Sequence, residues 1–236
     1  MTPRSLKFAF AALALSLTTG VATAQEHVGG KSAIDLFMST GWVGWLLVVV
    51  SIGGTYLAIE NFVSITREKL APPQVVDELD ALIQEEDYDK AIELATEDDG
   101  FLSNCISSAL RMRHAGYEEM IGFLEQTSAE ETFRLTVKIS YMSLFGNLAP
   151  LLGLLGTVTG MITSFQKIEQ MTAPKPKDLA SGVYESLVNT TMGLFLAIVF
   201  LTVYFFLKNK VTKLSLSLTL QAVDMLKGLA GKTAAH

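Results

Sequence analysis

Two nearly charge-free stretches carry oxygen atoms where a lipid-crossing helix usually has few. Between Lys138 and Lys167 the chain has no charge, and Thr157 lies well inside the run YMSLFGNLAPLLGLLGTVTGMITSFQ. The later run GVYESLVNTTMGLFLAIVF brings Glu185, Asn189, Thr190 and Thr191. Hydroxyl and amide oxygens in such surroundings can exchange hydrogen bonds with a buried polar group, or they can ligate a hard cation. Helix packing is the competing reading, since a threonine can also satisfy itself on the carbonyl of the preceding turn. Glu185 likewise has two readings. A carboxylate inside a span is a functional candidate, yet one turn from the outer end it also suits the positive end of the helix dipole.

The elements that must hold these groups follow from the spacing of small residues. Gly146, Pro150, Gly153, Thr157, Gly160 and Ser164 recur every three or four positions, so at about 100° per residue they form one narrow stripe. Gly182, Ser186, Thr190, Gly193 and Ala197 form a second stripe, with Asn189 and Glu185 at its margin and Thr191 farther round. Small residues let helix backbones approach closely in a membrane, so the two stripes are expected to face one another.

Three blocks are long enough to cross a bilayer, which takes about 20 apolar residues. They are residues 41–64, 140–166 and 181–207. Trp42 and Trp45 suit an outer interface, and Arg67 and Lys69 follow the other end of the first block. Lys208, Lys210 and Lys213 close the third. By the positive-inside rule those ends are cytoplasmic, and the second block runs from inside to outside. Residues 167–180 then form a periplasmic loop.

Residues 1–24 read as a signal peptide: Arg4 and Lys7 precede a short apolar stretch, and Ala22-Thr23-Ala24 offers a cleavage site. A retained fourth membrane helix is the alternative. Residues 25–40 would be a periplasmic segment. Residues 65–139 would be a cytoplasmic helical domain, and residues 208–236 a cytoplasmic helix and tail. Pro72-Pro73 opens one amphipathic helix over VVDELDALIQEE, and YDKAIELATEDD supplies another. From Tyr117 helical periodicity runs into the second block without a breaker, so one helix far longer than the bilayer is expected. The third block is expected to continue similarly to Gly228. The predicted class is an all-α membrane protein with three spans and long cytoplasmic extensions.

Much else is excluded. The chain has a formal net charge of −6, and its inner domain is acidic, which argues against nucleic acid and against anionic lipid and reads as a solvated helix face; membrane lipid is the expected partner of the spans alone. The one cysteine, Cys105, permits neither an intramolecular disulfide nor a thiolate cluster, and it reads as a small buried residue. The three histidines have no ligand spacing. No hydrolase elbow, zinc-protease motif, phosphate loop or dinucleotide fingerprint occurs, so no enzyme is read and no metal or cofactor is implied.

The run APLLGLLGTVTGMITSF, Ala149 to Phe165, followed by Gly182 to Phe200, resembles the paired second and third spans of the MotA/TolQ/ExbB proton-channel family, closest to ExbB and TolQ. The match lies in Pro150, Gly153, Gly156, Thr157 and Gly160, then Glu185, Thr190 and Gly193. The chain departs from the pattern at Ile198-Val199, where ExbB-like chains commonly place a proline. The resemblance implies a homopentamer in the bacterial inner membrane around two single-span helices of an ExbD- or TolR-like partner with a membrane aspartate. Thr157 and Thr190 would face that carboxylate, and Glu185 would lie near the pore mouth. The coupling ion would be H⁺, with Na⁺ as the alternative, and the output would pass through a TonB-like protein to outer-membrane transport. A TolQ-like envelope motor, a flagellar stator and a non-conducting scaffold remain alternatives.

Overall fold

The computed structural model describes residues 41–173 and 175–233; the expected signal peptide, the 25–40 segment and the final three residues lie outside them. The described residues are almost wholly helical and contain no strand. Helix α1 (Gly41–Ser64) and a single turn, α2 (Arg67–Leu70), precede three short helices, α3 (Pro73–Gln84), α4 (Tyr88–Glu97) and α5 (Phe101–Arg111). Two long helices follow, α6 (Tyr117–Glu169) and α7 (Pro176–Thr233).

Local chemistry explains the boundaries. Pro73 occupies the first position of α3, where its missing N–H has no partner to lose. Asp87 caps α4 by accepting from the Lys90 backbone N–H at 3.3 Å. Gly116, at φ 110°, takes a conformation that other residues avoid and turns the chain into α6. Helix α6 then runs for 53 residues and α7 for 58, each more than twice what a bilayer requires. The helix expected to continue from the 65–139 segment into the membrane block is therefore present, with Pro150 inside it. Helix α7 runs through Gly228 to Thr233, and since α6 ends at Glu169 and α7 begins at Pro176, both helices reach into the expected 167–180 loop. Three helices, α1, α6 and α7, are long and apolar enough to cross a membrane.

The chain divides into two compact units. Among the described residues, one comprises residues 41–49 and 151–194, the other residues 50–150 and 195–233. The second unit has two apolar cores. In one, Leu79 and Ile83 of α3, Ala91 and Ala95 of α4 and Leu102, Ile106 and Leu110 of α5 close around Met120 and Leu124 of α6 and Leu218, Ala222 and Leu226 of α7. Each large side chain fully buried there contributes about 1.5–3 kcal/mol. In the other, Ala58 and Ile65 of α1 meet Ile139 and Met142 of α6 and Phe200, Val203 and Leu207 of α7. Gly53 lies beside the Phe145 ring and Gly54 beside the Phe200 ring, which brings α1 close to both long helices. On its other side α1 exposes Ile52, Tyr56, Ile59 and Val63, a face suited to lipid. At the end of this core Lys138 pairs with Glu60 at 3.0 Å and donates to Ser64 Oγ at 3.2 Å.

Cys105 lies fully buried in α5. Burial, with a smaller contribution from the Glu131 carboxylate, pushes its thiol up to about 12. The thiolate is the reacting form, so iodoacetamide at pH 8 should leave Cys105 unmodified in the folded protein and alkylate it after denaturation. Mass spectrometry of the tryptic peptide reads the difference; full labelling of the native chain would contradict the packing of α5.

Candidate functional site

In the first unit the two small stripes lie against each other. A Cβ on Gly153 would stand 2.9 Å from the Asn189 carbonyl oxygen and 3.0 Å from Thr190 Cα. On Gly156 it would meet Asn189 Cβ at 2.7 Å, and on Gly160 it would meet Ser186 Cβ at 2.8 Å. Gly182 packs against Ser164 in the same manner. Glycine at these places is a steric requirement of the approach, as expected for small residues in a membrane interface. Ser164, Ser186 and Gly193 are buried in this unit. In the second unit Gly146 rests on the Leu201 side chain, and Pro150 is half-buried.

The close approach brings the two central threonines into contact. Thr157 Oγ1 and Thr190 Oγ1 share a hydrogen bond. Thr190 Oγ1 also lies 3.0 Å from the Gly153 carbonyl oxygen, while Thr157 Oγ1 lies 3.2 Å from that oxygen and 3.3 Å from the Ser186 carbonyl. Each hydroxyl has one proton and two lone pairs. When Thr190 donates to Gly153 and Thr157 donates to Thr190, both acceptor lone pairs remain on Thr157. Turning the Thr157 hydroxyl outward offers a donor instead. Both side chains are half-buried, so the pair can serve a protonated carboxyl or a carboxylate without changing its own charge.

The remaining expected residues separate. Asn189 is buried against Gly156, closer to the centre of the helix contact than its place at the stripe margin suggests. Thr191 is exposed on another side and bonds back to the Leu187 carbonyl at 3.1 Å. Glu185 belongs to α7, but its side chain lies outside the described residues. Gly156 was not in the six-residue stripe, although its spacing from Gly153 and Gly160 marks the same face. No group of three or more His, Cys, Asp or Glu side chains able to hold a metal occurs among the described residues.

Three apolar helices and a tight, uncharged hydroxyl contact between two of them define a multi-pass membrane protein with a polar locus in its spans. Residues 93–219 match the MotA/TolQ/ExbB proton channel family, and the chain belongs to that family. It is 32% identical over 176 residues to an ExbB-like biopolymer transport protein of Synechocystis, covering 72% of this chain and 68% of the relative. An ExbB homologue of Methanothermobacter thermautotrophicus is 23% identical over 181 residues, or 76% of this chain; the match spans 64% of that relative's length. The MotAB structure of C. jejuni shares the fold at a TM-score of 0.57 and 17% identity, covering 94% of this chain and 88% of that one. The family is one of channel and motor subunits, not a class of enzymes, and this kinship agrees with an inner-membrane location.

Proposed function

We propose that the chain is the channel subunit of an ion-driven inner-membrane motor, assembled as a pentamer around two single-span helices of an ExbD- or TolR-like partner. The observation that carries this reading is the Thr157–Thr190 contact, a neutral pair of hydroxyls between two spans. The spans of α6 and α7 face the partner, and the threonine pair receives its membrane carboxyl group. A proton arriving on that carboxyl converts an acceptor into a donor, and the hydroxyls change roles to match. Each passage changes which subunit's threonines hold the carboxyl, and the inner pair turns stepwise. A potential of 100 mV supplies about 2.3 kcal/mol per charge, so several ions act together before appreciable work is done. The output is the energising of TonB-dependent transport across the outer membrane, with H⁺ as the coupling ion. The mature N-terminus is periplasmic and the C-terminus cytoplasmic.

The reading is tested by co-expressing this chain with the single-span protein encoded beside it and weighing the purified complex by native mass spectrometry. Five copies with two partner chains is the expected mass. A monomer, or a ring that retains no partner, removes the titrating carboxyl and overturns the proposal.

A further inference from the structure

In the second compact unit, α6 and α7 each carry a polar side chain whose hydrogen-bonding capacity the fold leaves open. Gly146 of α6 faces Leu201 of α7, whose backbone nitrogen lies 3.3 Å from the place a Cβ would take. One residue earlier on each helix stand Phe145 and Phe200, the rings that meet Gly53 and Gly54 of α1. One residue later stand Asn147 and Thr202, both exposed. The two helices are antiparallel here, since Ser128 pairs with Thr219 while Gly146 meets Leu201. A step of 100° along each therefore turns Asn147 and Thr202 to one common side, opposite the side that α1 covers.

Among exposed apolar residues such as Leu144, Ile198 and Phe206, that side carries two polar groups with open hydrogen-bonding capacity. Asn147 donates to the Ser143 carbonyl at 2.7 Å, but its own side-chain oxygen accepts nothing among the described residues. Thr159, Thr163 and Thr191 all return their hydroxyl protons to a carbonyl of the preceding turn. Thr202 makes no hydrogen bond among the described residues, so its donor and both lone pairs are available. Asn147 sits about 10 Å into the span that begins at residue 140, and Thr202 about 8 Å from the end of the span that closes at residue 207. An open amide oxygen and an open hydroxyl at that depth are unfavourable in hydrocarbon, which offers them no hydrogen bond. The exposed α1 face, with Ile52, Ile59 and Val63, carries the hydroxyls of Thr55 and Tyr56 but no amide.

We propose that Asn147 and Thr202 form a hydrated step of the ion path, on the side of α6 and α7 that α1 leaves uncovered. Along the chain this step lies ten residues before Thr157 and twelve after Thr190, toward the ends expected to be cytoplasmic. Its ligand is water, or a hydrated proton passing through water. The inference rests on the channel reading above and extends it to residues outside the small stripes.

The test uses the full chain with its partner in membrane vesicles. Asn147→Cys and Thr202→Cys are labelled with a trimethylammonium methanethiosulfonate, a charged reagent that needs water, with Ile52→Cys as the lipid-face control. Buried Cys105 stays silent in all three. Labelling at least tenfold faster than the control is expected at both positions; labelling as slow as the control overturns the proposal. Proton flux is then measured for Asn147→Leu/Thr202→Val and for Thr157→Ala/Thr190→Ala, with assembly checked in each. A loss of about tenfold is expected in the first and of about a hundredfold in the second. Loss only in the Thr157/Thr190 variant overturns the hydrated step and spares the channel reading. Unchanged flux in the Thr157/Thr190 variant overturns the channel reading and this inference with it.

Discussion

Replacing Thr157 or Thr190 by alanine should leave the chain folded and assembled while lowering ion flux at least about tenfold, and replacing both should lower it about a hundredfold. Stability changes little because removal of the Thr157 hydroxyl orphans no buried group. The Gly153 carbonyl keeps the bond from the Thr190 hydroxyl, and a helical N–H also reaches it. Function changes much because a hydrogen bond to a charged group contributes about 1.5–3 kcal/mol, a factor of roughly ten to a hundred in occupancy. Thr157→Ser keeps the hydroxyl and should retain most of the flux, whereas Thr157→Val keeps the shape without it and should not. Proteoliposome flux and growth dependent on TonB-coupled uptake provide the readouts. Normal uptake in cells carrying both alanines would end the hydroxyl-pair account.

The second large effect is one of sign. Gly153→Ala should destabilise the helix pair, while Gly122→Ala in the same helix should stabilise it. A Cβ on Gly153 meets the backbone of Asn189 and Thr190 at about 3 Å, and backbone cannot rotate away as a flexible side-chain tip can. The helices must separate by several tenths of an ångström, and such overpacking costs about 1–3 kcal/mol. Gly122 has nothing within 4 Å of the corresponding position. There alanine brings only its better helix propensity, about 1 kcal/mol. Gly153→Val should be worse than Gly153→Ala. Unfolding temperatures in detergent should therefore rank Gly122→Ala, the unaltered chain, Gly153→Ala and Gly153→Val from high to low. A valine variant as stable as the unaltered chain would mean that the two stripes do not meet.

The helices were legible wherever a single physical signal dominated. The absence of Pro and of a turn cluster between Tyr117 and Ser140 forecast the continuity of α6, and the two small stripes forecast which faces meet. Asn189 was legible only as a margin residue. The centre of a helix contact depends on where the partner crosses, which the pattern of one helix alone does not specify. Helix α5 was hidden for a different reason. Its buried residues include Ser103 and Ser107 as well as leucines, so its inner face does not read as apolar. Asn147 and Thr202 were missed because attention to small residues selects the faces helices turn toward each other, not those they turn away.

The length of α6 has a consequence for how such a chain can vary. Met120 and Leu124 belong to one apolar core, and Ile139 and Met142 to another, with no break between them in a single helix. A residue inserted anywhere in that interval acts as a rotation, turning one face about 100° against the other. Seven inserted residues restore the phase to within about 20°. The rod is thus also a key, cut so that length and angle cannot change independently.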